Sequence, residues 1–146
     1  MPFLVDTNIA LRLYNTVDFE HPLVANAVQR LAQSGETLYY TQQSRREFWN
    51  VSTRPGNVNG LGLTTTATVH ALDGIELFLT YLPDSPAAGP EWDRLVRQYH
   101  VIGRAVHDAQ LVASMLVNGI MHLLTLNGAD FQRYSGEITV VHPRDV

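Results

Sequence analysis

Four acidic residues stand where a folded chain could bring carboxylates together: Asp6, Glu47, Asp108 and Asp130. Each lies among apolar neighbours or beside the end of an apolar run, where a carboxylate is not cheaply solvated. Taken singly, each has a plainer explanation. Asp108 falls in the first turn of a helical pattern and would complement the helix dipole, Asp130 suits a turn, and Glu47 can be a solvated helix-face residue beside Arg45 and Arg46. Taken together they occupy strand ends and helix starts, which in a parallel sheet share one edge. Clustered carboxylates repel, and without a cation at least one would hold its proton. A divalent ion removes that penalty. An all-oxygen site selects Mg²⁺ or Mn²⁺ over zinc, and such sites activate water and neutralise charge in phosphodiester cleavage.

Bringing these acids to one edge requires strands alternating with helices. Phe3-Leu4-Val5 reads as a buried first strand that ends at Asp6, and the carboxyl ends of strands in an open α/β sheet are where ligands sit. Asn8 to Tyr14 begins a short helix with Ile9 and Leu13 on one face. A second helix carries Val24, Val28 and Leu31 and closes at Gly35, and Thr37 to Thr41 forms the second strand. Gln42 to Thr53 is helical and carries Glu47. A loop spans Gly56 to Gly62, a helix capped by one of Thr64 to Thr66 follows, and Phe78 to Leu82 reads as strand. Pro83 to Pro90 reads as a turn segment before the amphipathic helix of Trp92, Leu95, Val96 and Tyr99. The helix through His107, Asp108 and Ala109 to Val117 closes at Asn118-Gly119. His122 to Thr125 is a buried strand, Leu126 to Phe131 a loop, and Ile138 to Val141 the last strand. This order predicts an α/β fold with a mostly parallel central sheet covered on both faces.

Composition narrows the chemistry. With 146 residues, 45% of them hydrophobic and 16% charged, the chain fits one globular domain over 1–146. Cysteine is absent, which removes disulfides, thiolate nucleophiles and zinc-thiolate sites. All ten basic residues are Arg. The missing Lys excludes a P-loop, a Schiff base and the Lys of a receiver-type phosphorylation site, while Arg is the better bidentate partner for phosphate. A net charge of −4 argues against a generic nucleic-acid coat. Asp6 interrupts the only apolar start, so no signal peptide is expected, and no apolar stretch reaches membrane-spanning length. The expectation is a soluble, cytoplasmic protein with no membrane association.

Four segments carry a family resemblance: Leu4-Val5-Asp6-Thr7-Asn8; Arg46-Glu47-Phe48-Trp49-Asn50-Val51 with Arg54-Pro55; Val106-His107-Asp108-Ala109 with Leu111-Val112-Ala113; and Leu124-Thr125-Leu126-Asn127 with Asp130-Phe131. In this order, over almost the full length, they resemble the PIN-domain family, and more narrowly the VapC-type toxin ribonucleases of toxin–antitoxin modules. The resemblance implies a PIN-type α/β/α sandwich and an endoribonuclease dependent on Mg²⁺ or Mn²⁺. Asp6, Glu47 and Asp108 would form the metal-binding core. The fourth position lies open between Asp130 and Asn127, and Thr7 and Thr125 match polar positions that support the ligands. The implied partners are an RNA substrate, a cognate antitoxin and a second copy of the chain in a homodimer. Arg46, Arg54 and Arg104 flank the acids as candidate phosphate contacts. His107 is set aside as a general base, because its neighbour Asp108 points about 100° away around the helix. Trp49, Trp92 and Phe131 read as core residues. The competing reading keeps the fold without the chemistry, as a module that binds RNA or protein.

Overall fold

Phe3, Leu4 and Val5 are all buried, as expected of a strand covered on both faces. In the computed structural model, which describes residues 1–146, they form β1 (Phe3–Val5) at the middle of a five-stranded sheet. The other strands are β2 (Leu38–Thr41), β3 (Thr80–Leu82), β4 (His122–Leu124) and β5 (Thr139–Val141), in the order β3-β2-β1-β4-β5. Every pairing is parallel, so the sheet is parallel throughout.

Parallel neighbours need crossovers, and six helices supply them: α1 (Thr7–Tyr14), α2 (His21–Gln33), α3 (Gln42–Thr53), α4 (Thr65–Ile75), α5 (Ala88–Gln98) and α6 (Ala105–Val117). Alternation along the strands divides the apolar side chains between two cores. Phe3, Val5, Leu38, Tyr40 and Leu124 pack with Ile9, Val28, Phe48 and Leu72 on the face covered by α1 to α4. Leu4 and Leu123 turn the other way, against Leu95 of α5 and Leu111, Val112 and Met115 of α6. The result is the expected three-layer α/β/α sandwich.

From β1 the chain builds outward through β2 and β3 on one side, then returns to build β4 and β5 on the other. The strand order therefore reverses between β1 and β4, and the carboxyl ends of these two strands border the crevice where such sheets hold ligands.

Beyond shifts of a single residue at Thr7, Thr37 and Thr125 and a 3-10 turn at Gly56–Val58, four boundaries differ from the sequence reading. The segment after β4 is a 3-10 helix, Gly128–Tyr134, that buries Phe131 and Tyr134; its three-residue repeat is too short to register as a pattern. The α5 helix starts at Ala88 and takes Pro90 into its first turn, where a missing N–H costs nothing. Phe78 and Leu79 precede β3, their N–H groups bonded back to Ile75 at 3.0 and 2.9 Å. Ile138 likewise precedes β5, its N–H held by Tyr134 at 3.0 Å.

Candidate active site

Asp6 lies directly after β1 and caps α1, with extended backbone angles (φ −74°, ψ 160°) and Oδ1 accepting the Thr7 N–H at 2.8 Å. The helix N-terminus favours the negative charge there. Oδ2 accepts the Thr125 hydroxyl at 2.8 Å and the Asn8 amide at 3.2 Å. Thr125 follows β4 and is fully buried, and its oxygen also accepts the backbone N–H of Asn127 at 3.0 Å. Asn8 completes the link by accepting the Leu126 N–H at 3.2 Å. The ends of β1 and β4 are thus tied through polar groups centred on Asp6.

Glu47 is brought in from α3. That helix starts where Thr41 Oγ1 accepts the Ser44 N–H at 3.1 Å, and Glu47 follows in its second turn. Its Oε2 accepts the Thr7 hydroxyl at 2.6 Å, and its Oε1 accepts Gln43 Nε2 at 3.3 Å from one turn earlier. The same Gln43 nitrogen donates to the carbonyl of His107 at 3.1 Å, which ties α3 to α6. Asp108 stands beside that carbonyl, half-buried in the first turn of α6. Asp130 is exposed in the first turn of the 3-10 helix, whose N-cap is Asn127. Asn127 acts here through its backbone, because its side chain makes no hydrogen bond within the chain.

The four acids influence one another electrostatically. Burial raises the Asp6 carboxyl above its ordinary value; the Thr125 and Thr7 donors oppose this, and the charges of Glu47 and Asp130 add to it. Asp108 is pushed up to about 6, first by burial and then by Asp6, Asp130 and Glu47, with Arg133 pulling the other way. None of the four acids forms an ion pair. Every Glu other than Glu47 does, and the Asp residues without one are Asp6, Asp73, Asp84, Asp108 and Asp130.

The arginines divide in a related way. Arg46, Arg104 and Arg133 are exposed, make no side-chain hydrogen bond or ion pair, and flank Glu47, Asp108 and Asp130 along the chain. Arg54 differs from the sequence expectation. Its Nη2 donates to the carbonyl of Asn59 at 3.0 Å and its Nε is buried without a partner, so this guanidinium serves its own loop. The His107 side chain is exposed and makes no hydrogen bond.

The donor set fits a hard divalent cation: oxygen ligands only, mutually repelling, with two carboxyls raised by burial and by neighbouring negative charge. No three His, Asp or Glu side chains are gathered tightly enough, as placed, to enclose one ion.

The family model of the PIN domain matches residues 3–137. The chain belongs to the PIN domain family. No curated protein matches its sequence. Among solved structures, this PIN domain is similar to a chain of VapBC2 from Rickettsia felis bound to a promoter DNA fragment, at 17% identity and TM-score 0.72, covering 97% of this chain and 98% of that one. It is similar to a chain of VapBC-1 from nontypeable Haemophilus influenzae at 16% identity and TM-score 0.71, covering 98% of each. It also matches VapC20 of Mycobacterium tuberculosis, a sarcin-ricin loop cleaving toxin, at 20% identity and TM-score 0.64, over 94% of this chain and 96% of that one. At these identities the likeness establishes the fold of the PIN domain.

Three residues of the site are given no role of their own in the sequence reading. Asn8 had a signal, since it directly follows Asp6 and Thr7. Gln43 had one too, because it precedes Glu47 by one helical turn. Arg133 had none, since its proximity to Asp108 depends on the fold of the 3-10 segment.

Proposed function

We propose that this protein is a divalent-metal-dependent endoribonuclease, the toxin of a toxin–antitoxin pair, built as one PIN domain over 1–146. The observation that supports the reading is the electrostatic coupling of four carboxylates that form no ion pair, around Asp6 at the strand-order switch point, with the unpaired Arg133 near Asp108. Asp6, Glu47 and Asp108 are the residues that would hold Mg²⁺ or Mn²⁺. Asp130 completes the acidic set, and Asn127 lies close enough in sequence to supply a carbonyl or hold water. When bound, the ion supplies Lewis-acid charge and a more acidic water for attack on an RNA phosphodiester. Thr7 orients Glu47 and Thr125 orients Asp6, so neither carboxylate has to search for its rotamer. Arg46, Arg104 and Arg133 are suited to neutralise backbone phosphates on either side of the acids.

RNA as substrate is supported by the family and by the sarcin-ricin loop cleaving relative. An antitoxin partner is supported by the VapBC complexes to which relatives belong. No helix is long and apolar enough to cross a membrane.

The absence of a ready-made three-ligand cluster favours a second reading, a PIN domain that binds RNA without cutting it. Incubating the protein with structured RNA in Mg²⁺ or Mn²⁺, with chelator as control, decides between them. Metal-dependent cleavage is expected. RNA binding without cleavage, together with no Mn²⁺ binding by calorimetry, establishes the second reading instead.

A further inference from the structure

A second crevice opens beside the carboxylates, with a volume of about 390 Å³ and a mostly polar lining. Its walls come from α3, α5 and α6, and it lies within the range of pockets that accept small ligands, about 300–1,000 Å³. Gln43 forms part of the wall and is also the residue that donates to Glu47, so the crevice and the acidic site are neighbours across one side chain.

The lining is unusual in what it leaves unspent. Gln110 and Ser114 are four residues apart on one face of α6, and neither side chain makes a hydrogen bond within the chain. Asp84 and Arg46 are also free of hydrogen bonds and ion pairs. Trp92 is fixed differently: its Nε1–H donates to the carbonyl of Val106 at 2.9 Å, so the indole has no donor left and offers an aromatic surface. A polar crevice with an aromatic wall, an amide, a hydroxyl and a carboxylate has the chemistry that reads an unstacked base.

We propose that this crevice receives a nucleobase of the RNA next to the scissile phosphate, an inference that rests on the ribonuclease reading above. Trp92 stacks against the base, Gln110 and Ser114 bond its edge, and Arg46 at the rim meets the adjoining phosphate. The Asp84 carboxylate only accepts hydrogen bonds, so it favours adenine, cytosine or guanine, which offer an exocyclic amino group, over uracil, whose one edge donor, N3–H, is flanked by two carbonyl oxygens that repel a carboxylate.

The test measures binding of labelled oligouridylates carrying a single A, C, G or abasic position, by fluorescence anisotropy in chelator so that no cleavage intervenes. At least one amino-bearing base is expected to bind about tenfold tighter than uridine or the abasic site. Gln110→Ala should reduce that preference, and Asp84→Asn, which places a donor where the carboxylate stood, should shift it toward uridine. Equal affinity for all oligonucleotides, no binding, or a preference unmoved by both substitutions overturns the proposal. A parallel cleavage assay in Mn²⁺ separates the two claims. Cleavage without base preference removes the crevice and leaves the nuclease, while base preference without cleavage does the reverse.

Discussion

Thr7 connects two acids from distant parts of the chain: its hydroxyl donates to Glu47 at 2.6 Å while its N–H donates to Asp6 at 2.8 Å. The side-chain bond gives a direct prediction. Thr7→Val keeps the shape but removes the hydroxyl, which should lower Mn²⁺ affinity or cleavage rate by about 10- to 100-fold, and Thr7→Ser should restore most of it. Calorimetry and single-turnover cleavage provide the readouts. Wild-type values for Thr7→Val would show that Glu47 needs no orienting partner.

Thr125 does for Asp6 what Thr7 does for Glu47, in a fully buried position. Replacing it by Val strips the hydroxyl from Asp6 and leaves the Asn127 N–H without its acceptor. A loss of about 1–3 kcal/mol in unfolding free energy is expected from denaturant titration, together with weaker metal binding. Unchanged stability would place the Thr125 bond outside the forces that hold β1 and β4 together at this edge.

The raised carboxyls predict a pH dependence of the metal-free protein. Asp6 and Asp108 bind protons more readily folded than unfolded, so below about 4, where both states are protonated, they cost nothing. As pH rises from there through about 6, the native state must give up protons it favours, and stability falls. In chelator, Tm should therefore be higher near pH 5 than near pH 7 as far as these groups contribute. Asp108→Asn should flatten the slope, and added Mn²⁺ should raise Tm most at the higher pH. A slope identical in wild type and Asp108→Asn contradicts the electrostatic account.

Arg46 and Arg54 flank the same helix and should behave differently. Removing the unpaired Arg46 should weaken RNA binding across sequences and reduce the salt slope by about one. Removing Arg54 should leave the slope unchanged and lower stability, because its guanidinium bonds Asn59 within its own loop. Equal salt effects of the two variants would refute this division.

Much of this was readable from the letters. The apolar run ending at Asp6, the helical span around Glu47 and the helix start at Asp108 are local patterns, and local patterns report burial and period directly. What the letters did not report was contact. The Thr7 to Glu47 bond, the Thr125 to Asp6 bond and the approach of Arg133 to Asp108 depend on which strands become neighbours. Arg54 shows the same limit in reverse. Beside an acidic motif it reads as a phosphate contact, and only the turn from Pro55 to Gly60 reveals that its side chain is already engaged.

If these four carboxylates hold a metal for RNA hydrolysis, Asp6, held in place by Thr7, Asn8 and Thr125, is indispensable to it. Single-turnover cleavage of a structured RNA in Mn²⁺ by wild type and by Asp6→Asn, with circular dichroism confirming that both are folded, tests it most directly. The expected result is cleavage by the wild type and a loss of about a thousandfold or more in the variant, as befits removal of a metal ligand. Equal rates from the two proteins would contradict the assignment of the site.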